Sequence, residues 1–238
     1  MKSTIYITLT VESEDRAEKT EHREVRGALV ARRPKWIRTT AQTPGGMSKA
    51  IDMVSNGDTF QVHVPWKNRV YEGINNLDKP SDNRAENIRP QHLLSAIMFA
   101  PIEQDQLILM DTETYGRAGY QVVHIVDRDE SGEPKIRRKY WFSRDTLALA
   151  RLQILDENAE LATDAWYRDW QEENGLPYPK FAQIRRPLDG YQIDIQILKA
   201  GLNEDVPDTS FVLTLPKDVE VQRLGEPATE STTQASND

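Results

Sequence analysis

The sequence predicts a mainly β protein built on a single antiparallel, strongly curved sheet. Side-chain hydrophobicity alternates with a period of two along most of the chain, and turn signals separate the alternating runs at short intervals. Helix is scarce, because one segment of the 238 residues carries a convincing helical pattern. One short helix cannot cover a sheet of about a dozen strands. We therefore expect the sheet to curl and to keep a partly covered concave face.

The strands follow from the alternation. Residues 4–11 and 191–197 alternate between aliphatic and more polar side chains, which is typical of strands with one face in the core and one in water. Asn56-Gly57 and Asp189-Gly190 are hairpin-type turns between such runs. Similar runs predict strands near residues 25–32, 36–41, 60–64, 69–74, 106–112, 120–126, 136–142, 148–155, 161–170, 180–186 and 210–215.

The helix is predicted over residues 89–99. Its apolar residues lie on one stripe, Pro90 suits the first turn, and Pro101 ends the helix. Residues 225–238 contain no large apolar residue and are expected to form a disordered acidic and polar tail. No long linker interrupts the rest, so residues 1–224 are expected to form one domain.

Composition excludes several functional classes. The chain has no cysteine, which excludes a disulfide framework, cysteine-ligated zinc and a thiol nucleophile. Its 30 Lys+Arg against 38 Asp+Glu give a net charge of −8, so we expect no nucleic-acid partner. No apolar run is long enough for a membrane span, and none resembles a signal peptide.

The sequence carries few signals of catalysis, metal binding or cofactor binding. The four histidines show no metal-ligand spacing, and no nucleophile elbow, phosphate loop or dinucleotide turn is present, so we expect no enzyme, catalytic residue, metal or cofactor. Asp111 and Glu113 share a strand face, as paired carboxylates do in acid–base catalysis, but solvent-exposed strand faces look the same. Residues 32–38 and 135–141 mix cations with aromatics, which is a weak signal for nucleic acid or acidic lipid headgroups.

Three stretches resemble the LolA/LolB-type family of bacterial lipoprotein-localisation factors. Residues 30–38, which read VARRPKWIR, are similar to the family's strand that ends in a basic residue, Arg and Pro. Residues 53–65, MVSNGDTFQVHVP, resemble its Val-Ser-Asp/Asn-Gly hairpin, and residues 211–221, FVLTLPKDVEV, resemble its closing strand and Pro-x-Gly-Val turn. Asp218 stands where the family usually has Gly. The three stretches keep the family's order over residues 3–222.

The resemblance implies an incomplete, unclosed β-barrel of about 11 strands with short lid helices over an apolar cavity. It also implies that Arg33 holds the lid shut through hydrogen bonds to lid backbone, with an outward-facing strand-end cation as the alternative. Family members begin with an amphipathic helix, whereas this chain begins almost directly in a strand. We therefore expect either a start that lacks its leader or anchor, or a lid reduced to the helix near residues 90–99.

The implied function is non-enzymatic binding of lipid or lipoprotein acyl chains, as a carrier or acceptor in the bacterial cell envelope. We expect the protein in the periplasm or on the periplasmic face of the outer membrane, peripheral to the membrane. The cavity is expected to be lined by Ile5, Ile7, Leu9, Leu29, Ile37, Phe60, Val62, Leu93, Leu94, Ile97 and Met98. The same side chains could instead simply fill a solid core.

Two alternatives remain open. The first is an envelope sensor or assembly module that binds another envelope protein and carries no lipid. Exposed aromatics would anchor that partner: Trp66 at a strand end, or Trp166 and Trp170 on one strand face. The second is a hydrolase, which depends only on scattered carboxylates and histidines.

Overall fold

The computed structural model describes residues 1–12, 19–21, 24–75, 87–129 and 131–224, and the predicted tail lies outside them. It confirms a mainly β protein with one large curved sheet that is not closed into a barrel. The first strands are β1 (Lys2–Glu12), β2 (Lys19–Glu21), β3 (Val25–Arg32), β4 (Trp36–Gln42), β5 (Lys49–Ser55), β6 (Thr59–Val64) and β7 (Arg69–Ile74). After helix α1 (Pro90–Ile97) follow β8 (Leu107–Tyr115), β9 (Ala118–Arg128), β10 (Pro134–Ser143), β11 (Leu149–Leu155), β12 (Leu161–Glu173), β13 (Leu176–Arg186), β14 (Tyr191–Gly201) and β15 (Glu220–Leu224).

Fourteen strands form one continuous path, in the order β15-β7-β6-β5-β4-β3-β1-β14-β13-β12-β11-β10-β9-β8, and β2 adds to β1 beside it. The predicted count of about 11 strands is therefore wrong. Strands β2 and β15 lie in polar sequence without a clear alternating pattern, and β5 begins in a segment with the Gly and Ser content of a loop. Hydrophobic alternation does not detect strands of these kinds.

The prediction of a purely antiparallel sheet is also wrong at one edge. Strand β15 pairs with β7 in parallel, and the other pairings are antiparallel. Asn68 explains the direction, because its carbonyl accepts from the Glu220 amide at 3.1 Å and its side chain donates to the Asp218 carbonyl at 2.9 Å. These bonds fix the start of β15 beside the start of β7, so the two strands run the same way.

No strand forms at residues 210–215, where one was predicted. A single 3₁₀ turn, Asp208–Phe211, precedes an irregular stretch there. The carbonyl oxygens of Ser210 and Val212 accept hydrogen bonds from Arg38, both at 3.1 Å. Phe211 is buried against Val54 and Trp36. The apolar and polar side chains do alternate in this stretch, but its backbone carbonyls accept hydrogen bonds from the Arg38 side chain and not from a neighbouring strand.

The core shows how strongly the sheet curves. One apolar cluster joins residues of β6, such as Phe60, to residues of β9, such as Ile125. These strands are ten steps apart in the sheet order, which would be roughly 48 Å in a flat sheet at about 4.8 Å per strand. Helix α1 contacts both β4 and β12, five steps apart in that order, so the sheet curls around the helix.

Helix α1 lies within that core and confirms the predicted helix. Pro90 occupies its first turn, and the Met98 amide donates to the Leu94 carbonyl at 2.7 Å where the helix ends. Leu93, Leu94 and Ala96 are buried, so the apolar stripe faces the concave side of the sheet.

Candidate functional site

Hydrogen bonds hold α1 in the concave face. The Tyr167 hydroxyl donates to the carbonyl oxygen of Ala96 at 2.5 Å, and this bond is buried. Burial raises the pKa of the Tyr167 phenol well above its usual value, so the group remains a donor. Nearer the start of the helix, Nδ1 of His92 lies 2.5 Å from the hydroxyl oxygen of Tyr191. The helix is thus tied to strand β12 at one end and to β14 at the other.

His92, in the first turn of α1, lies beside the polar side chains of Tyr191 and Asp189. Burial, followed by the charges of Arg186 and Arg89, holds the pKa of His92 well below its usual value. Asp189 lies 3.8 Å from His92 Nδ1, but its carboxylate accepts from Arg186 Nε at 2.6 Å. A proton on His92 would therefore add a cation next to two arginines and only one carboxylate.

Acidification is expected to weaken this anchor. In the unfolded chain His92 titrates near pH 6.5, so its contribution to stability is complete above that pH and falls as the pH drops below it. The slope for one proton is at most about 1.4 kcal/mol per pH unit. Thermal unfolding between pH 7.5 and pH 5 should show the stability advantage of wild type over His92→Asn shrinking on acidification. A difference that stays constant with pH would show that His92 does not contribute in this way.

Arg138 on β10 holds the segment that follows the helix. Its guanidinium donates to the carbonyl oxygen of Ala100 at 3.2 Å, to that of Pro101 at 3.5 Å, and to Oε1 of Gln106 at 3.0 Å. Gln106 in turn donates to Asp127 at 2.7 Å. Backbone carbonyls after α1 are therefore bound by an arginine that the sequence analysis did not select.

Two adjoining apolar cavities open around the C-terminal end of α1. The first, of about 460 Å³, lies against β13 and β14 and is lined there by Ala182, Ile195 and Ile197. The second, of about 810 Å³, extends over β9 and β10. Both volumes suit a small-molecule site. We call the two cavities together the lid groove, and the residues that line both are Arg33, Ile97, Phe99, Trp170 and Pro177.

Aromatic packing shapes the wall that the two cavities share. Phe99 makes edge-to-face contacts with Tyr140 and Tyr167, at centroid distances of 6.2 and 5.7 Å. The Trp170 ring packs against the Tyr167 ring, and its Nε1 donates to the Leu149 carbonyl at 2.8 Å. These contacts fix the orientation of the Phe99 and Trp170 rings. Both rings also line the two cavities, so one side of this wall borders open space.

The placement of Trp170 corrects a prediction. Trp166 and Trp170 should share a face of a regular strand, yet Trp170 packs against the core while Trp166 lies against Arg151, 4.5 Å from the guanidinium carbon to the ring centroid. Asp169 between them has a φ of 54°, which reverses the local alternation. Trp66, the other predicted aromatic anchor, is exposed as expected.

The eleven predicted cavity residues come together in one apolar cluster, but few of them border open space. Ile97 and Met98 line the lid groove. Phe60 lines a separate cavity of about 570 Å³ next to Trp36 and Phe211. The other eight pack in or against the core, namely Ile5, Ile7, Leu9, Leu29, Ile37, Val62, Leu93 and Leu94. Alternation identifies the inward face of a strand, but it does not show where on that face space remains.

Arg33 lies in the turn between β3 and β4, exposed and on the wall of both cavities. Within the described part of the chain its side chain makes no hydrogen bond to α1. The side chains that donate to backbone carbonyls here are Tyr167, to Ala96 in α1, and Arg138, to Ala100 after it. The latch role of Arg33 therefore stays a prediction.

One cluster has the residue types of a metal site. Asp111, Glu113 and His124 each offer a ligand atom, and these atoms lie within 4.8 Å of one another. Two ligands about 2.1 Å from a tetrahedral metal would be roughly 3.4 Å apart, so the side chains would have to close up to bind one. Sequence spacing did not reveal the cluster, because β9 contributes the histidine and β8 the carboxylates.

No helix in the described residues is long and apolar enough to cross a membrane. The architecture is an unclosed, curved sheet that holds one helix against its concave face beside an apolar groove. This architecture is similar to that of solved LolA superfamily structures, so the sequence resemblance is confirmed at the level of the fold alone.

Solved structures support that assignment. A LolA superfamily protein from Nitrosomonas europaea matches with a TM-score of 0.53 and 12% identity, covering 89% of each chain. An outer membrane lipoprotein-sorting protein domain from Vibrio parahaemolyticus matches with a TM-score of 0.53 and 10% identity, covering 88% of each. A DUF1329 family protein from Desulfovibrio piger matches with a TM-score of 0.52 and 12% identity, covering 89% of each. No protein-family profile and no curated protein matches the sequence.

Proposed function

We propose that this protein binds acyl chains of lipids or lipoproteins non-covalently in the lid groove, as a carrier or acceptor in the periplasm of a bacterial cell envelope. The groove itself carries the proposal, since it is an apolar space of ligand size beside a helix that is fixed by a few hydrogen bonds. Each methylene buried there contributes about 0.8 kcal/mol. The fold shared with a lipoprotein-sorting domain supports the envelope setting.

Binding of this kind requires no covalent chemistry. The lining of the first cavity is mostly aliphatic and aromatic, with charged groups only at Met1, Arg32, Arg33 and Glu204. In the second cavity Arg33 is the one ionised side chain of the lining. The predicted cavity residues in the core, such as Ile5 on β1 and Leu93 on α1, would border ligand only if α1 moved outward, because they now pack within one apolar cluster.

A protein-binding role is the second candidate, and strand β8 favours it. Leu107, Ile108, Leu109 and Met110 are all about half exposed or more, and β8 forms one edge of the sheet. An exposed apolar edge strand can pair with a strand of another chain. This surface is separate from the lid groove, so the two functions can be tested independently.

The first experiment is native mass spectrometry of protein purified without detergent from a bacterial envelope, followed by organic extraction. We expect a bound mass that extraction identifies as an acylated lipid or lipopeptide, and we expect the emptied protein to take up a fluorescent fatty acid. Ligand-free protein that also refuses the probe would contradict the lipid-binding proposal. In that case the apolar strand β8 would become the surface to pursue.

A further inference from the structure

We propose that Arg33 binds the anionic headgroup of the ligand, so that the lid groove selects amphiphiles with a carboxylate or phosphate over zwitterionic ones of the same chain length. This inference depends on the proposed function, because it names the class of lipid that the groove accepts. It follows from the position of Arg33, from its lack of partners and from the engagement of its charged neighbours.

The position is unusual because, among the described residues, Arg33 is the one charged residue that lines both cavities. The other shared residues are apolar: Ile97, Phe99, Trp170 and Pro177. A chain lying in either cavity would therefore place a headgroup within reach of the same guanidinium. Arg33 is exposed, so the headgroup could remain partly in water while the chain is buried.

The guanidinium is also available. Arg33 makes no hydrogen bond, ion pair or ring contact with the described residues, in contrast to its neighbour Arg32. Arg32 donates to the Val206 carbonyl at 2.8 Å and to Asp208 Oδ1 at 2.6 Å, and it lies over the ring of Phe211. The two adjacent arginines thus differ, since Arg32 binds the segment 206–208, whereas the donors of Arg33 have no partner among the described residues.

Two carboxylates near the groove already have basic partners. Glu204, which lines the first cavity, lies 3.8 Å from Lys2. Asp208 is bound by Arg32. A guanidinium donates two parallel hydrogen bonds to a carboxylate or phosphate. A phosphocholine headgroup attracts the guanidinium less strongly, because its own ammonium group offsets the negative charge of its phosphate. In a protein of net charge −8, one open arginine at the rim of an apolar groove favours an anionic headgroup at that point.

The test compares ligands that share a chain and differ in headgroup. Wild type, Arg33→Gln and Arg33→Lys are titrated with lysophosphatidylglycerol, with a fatty acid and with lysophosphatidylcholine, and their melting temperatures are recorded. We expect Arg33→Gln to weaken binding of both anionic ligands about 10-fold or more. Its binding of lysophosphatidylcholine should change less than about 2-fold, and Arg33→Lys should be intermediate. Lys35→Gln, which removes a cation from the same turn outside the groove, is the matched control and should leave all affinities unchanged.

Each other outcome has a definite meaning. Equal weakening of anionic and zwitterionic ligands by Arg33→Gln would overturn headgroup recognition and favour the latch role. An unchanged affinity for every ligand would overturn both roles of Arg33 while the lipid-binding proposal stands. If wild type binds none of the three ligands, the proposed function fails and this inference fails with it. If only one anionic ligand responds to Arg33→Gln, the headgroup is that one, carboxylate or phosphate.

Discussion

Replacing Asp52 by alanine is expected to lower the free energy of unfolding by about 3 kcal/mol, because it leaves the Arg38 guanidinium, whose side chain is only 20% exposed, without its counter-charge. Arg38 Nε and Nη2 each donate to the Asp52 carboxylate at 2.8 Å, and Lys49 Nζ donates at 2.6 Å. Burial opposes ionisation of Asp52, but the hydrogen bonds from Arg38 and Lys49 outweigh it and hold its pKa below the usual value. The carboxylate is therefore charged at neutral pH, and its side chain is only 5% exposed.

The same chain contains a matched control. Lys35 and Asp58 form an ion pair at 2.6 Å, but their side chains are 44% and 73% exposed. Solvent screens such a pair, so Asp58→Ala should cost less than about 1 kcal/mol. Chemical denaturation of both variants measures the difference. If the two variants lose similar amounts of unfolding free energy, then burial of Asp52 does not determine how much its ion pair contributes to stability.

The ion pair of Asp52 also carries a pH dependence, which has the same sign as that of His92 but acts at lower pH. The folded-state pKa of Asp52 is lowered, so its contribution to stability is present above about pH 4 and is lost as the pH falls through the folded-state value. Asp52→Asn, which keeps the shape of the side chain without its charge, should flatten the stability curve below pH 4.

Arg38 explains why the sequence motifs predicted the fold. It ends the first of the three stretches that resemble the lipoprotein-localisation family, and its guanidinium reaches Asp52, just before the second stretch. It also donates to Val212 in the third. The three stretches are far apart in sequence but meet at one hydrogen-bonded centre. Their joint presence was therefore a better guide to the fold than any one of them.

Alternation of apolar and polar side chains predicted most of the sheet, because most strands have one face in the core and the other in water. It could not predict β15, which is held by Asn68 rather than by burial. Nor could it place Trp170, since a single positive φ at Asp169 reverses the strand face with no sequence signal that pattern reading detects. The lid groove is bounded by Trp170 and by the end of α1. Its location therefore could not be predicted from alternation, because the position of Trp170 depends on the backbone conformation of Asp169.

Contacts to the backbone after α1 show the same limit. The resemblance led to Arg33 by its position before Pro34, whereas the arginine that donates to the Ala100 carbonyl, Arg138, lies more than 100 residues further along the chain. A run of cations in residues 135–141 was visible in the sequence, but nothing there indicates which cation turns inward. Which cation contacts this segment depends on the position of β10 relative to the backbone of residues 100–101.

Replacing Ile97 by glutamate is expected to abolish binding of an acyl ligand, with at least about a 10-fold loss of affinity, while the sheet stays folded. Ile97 lines both cavities and is only partly buried, so in the free protein a carboxylate there can remain hydrated. An acyl chain in the groove would have to remove that water, and a desolvated charge without a partner is costly. Binding of lysophosphatidylcholine, which carries no net charge, measures the effect without repulsion between headgroup and carboxylate.

Two neighbours on the same helix make this result specific. Leu94 is 2% exposed and packs in the core, so Leu94→Glu should unfold the protein instead of selectively blocking the groove. Ser95 lines neither cavity and donates only to the His92 carbonyl of its own helix, so Ser95→Glu should keep both the fold and the affinity. Ile97→Gln, which is polar but uncharged, should fall between wild type and Ile97→Glu. If Ile97→Glu binds the ligand as tightly as Ser95→Glu does, then the acyl chain does not pass the end of α1, because no ligand filling either cavity could avoid that side chain.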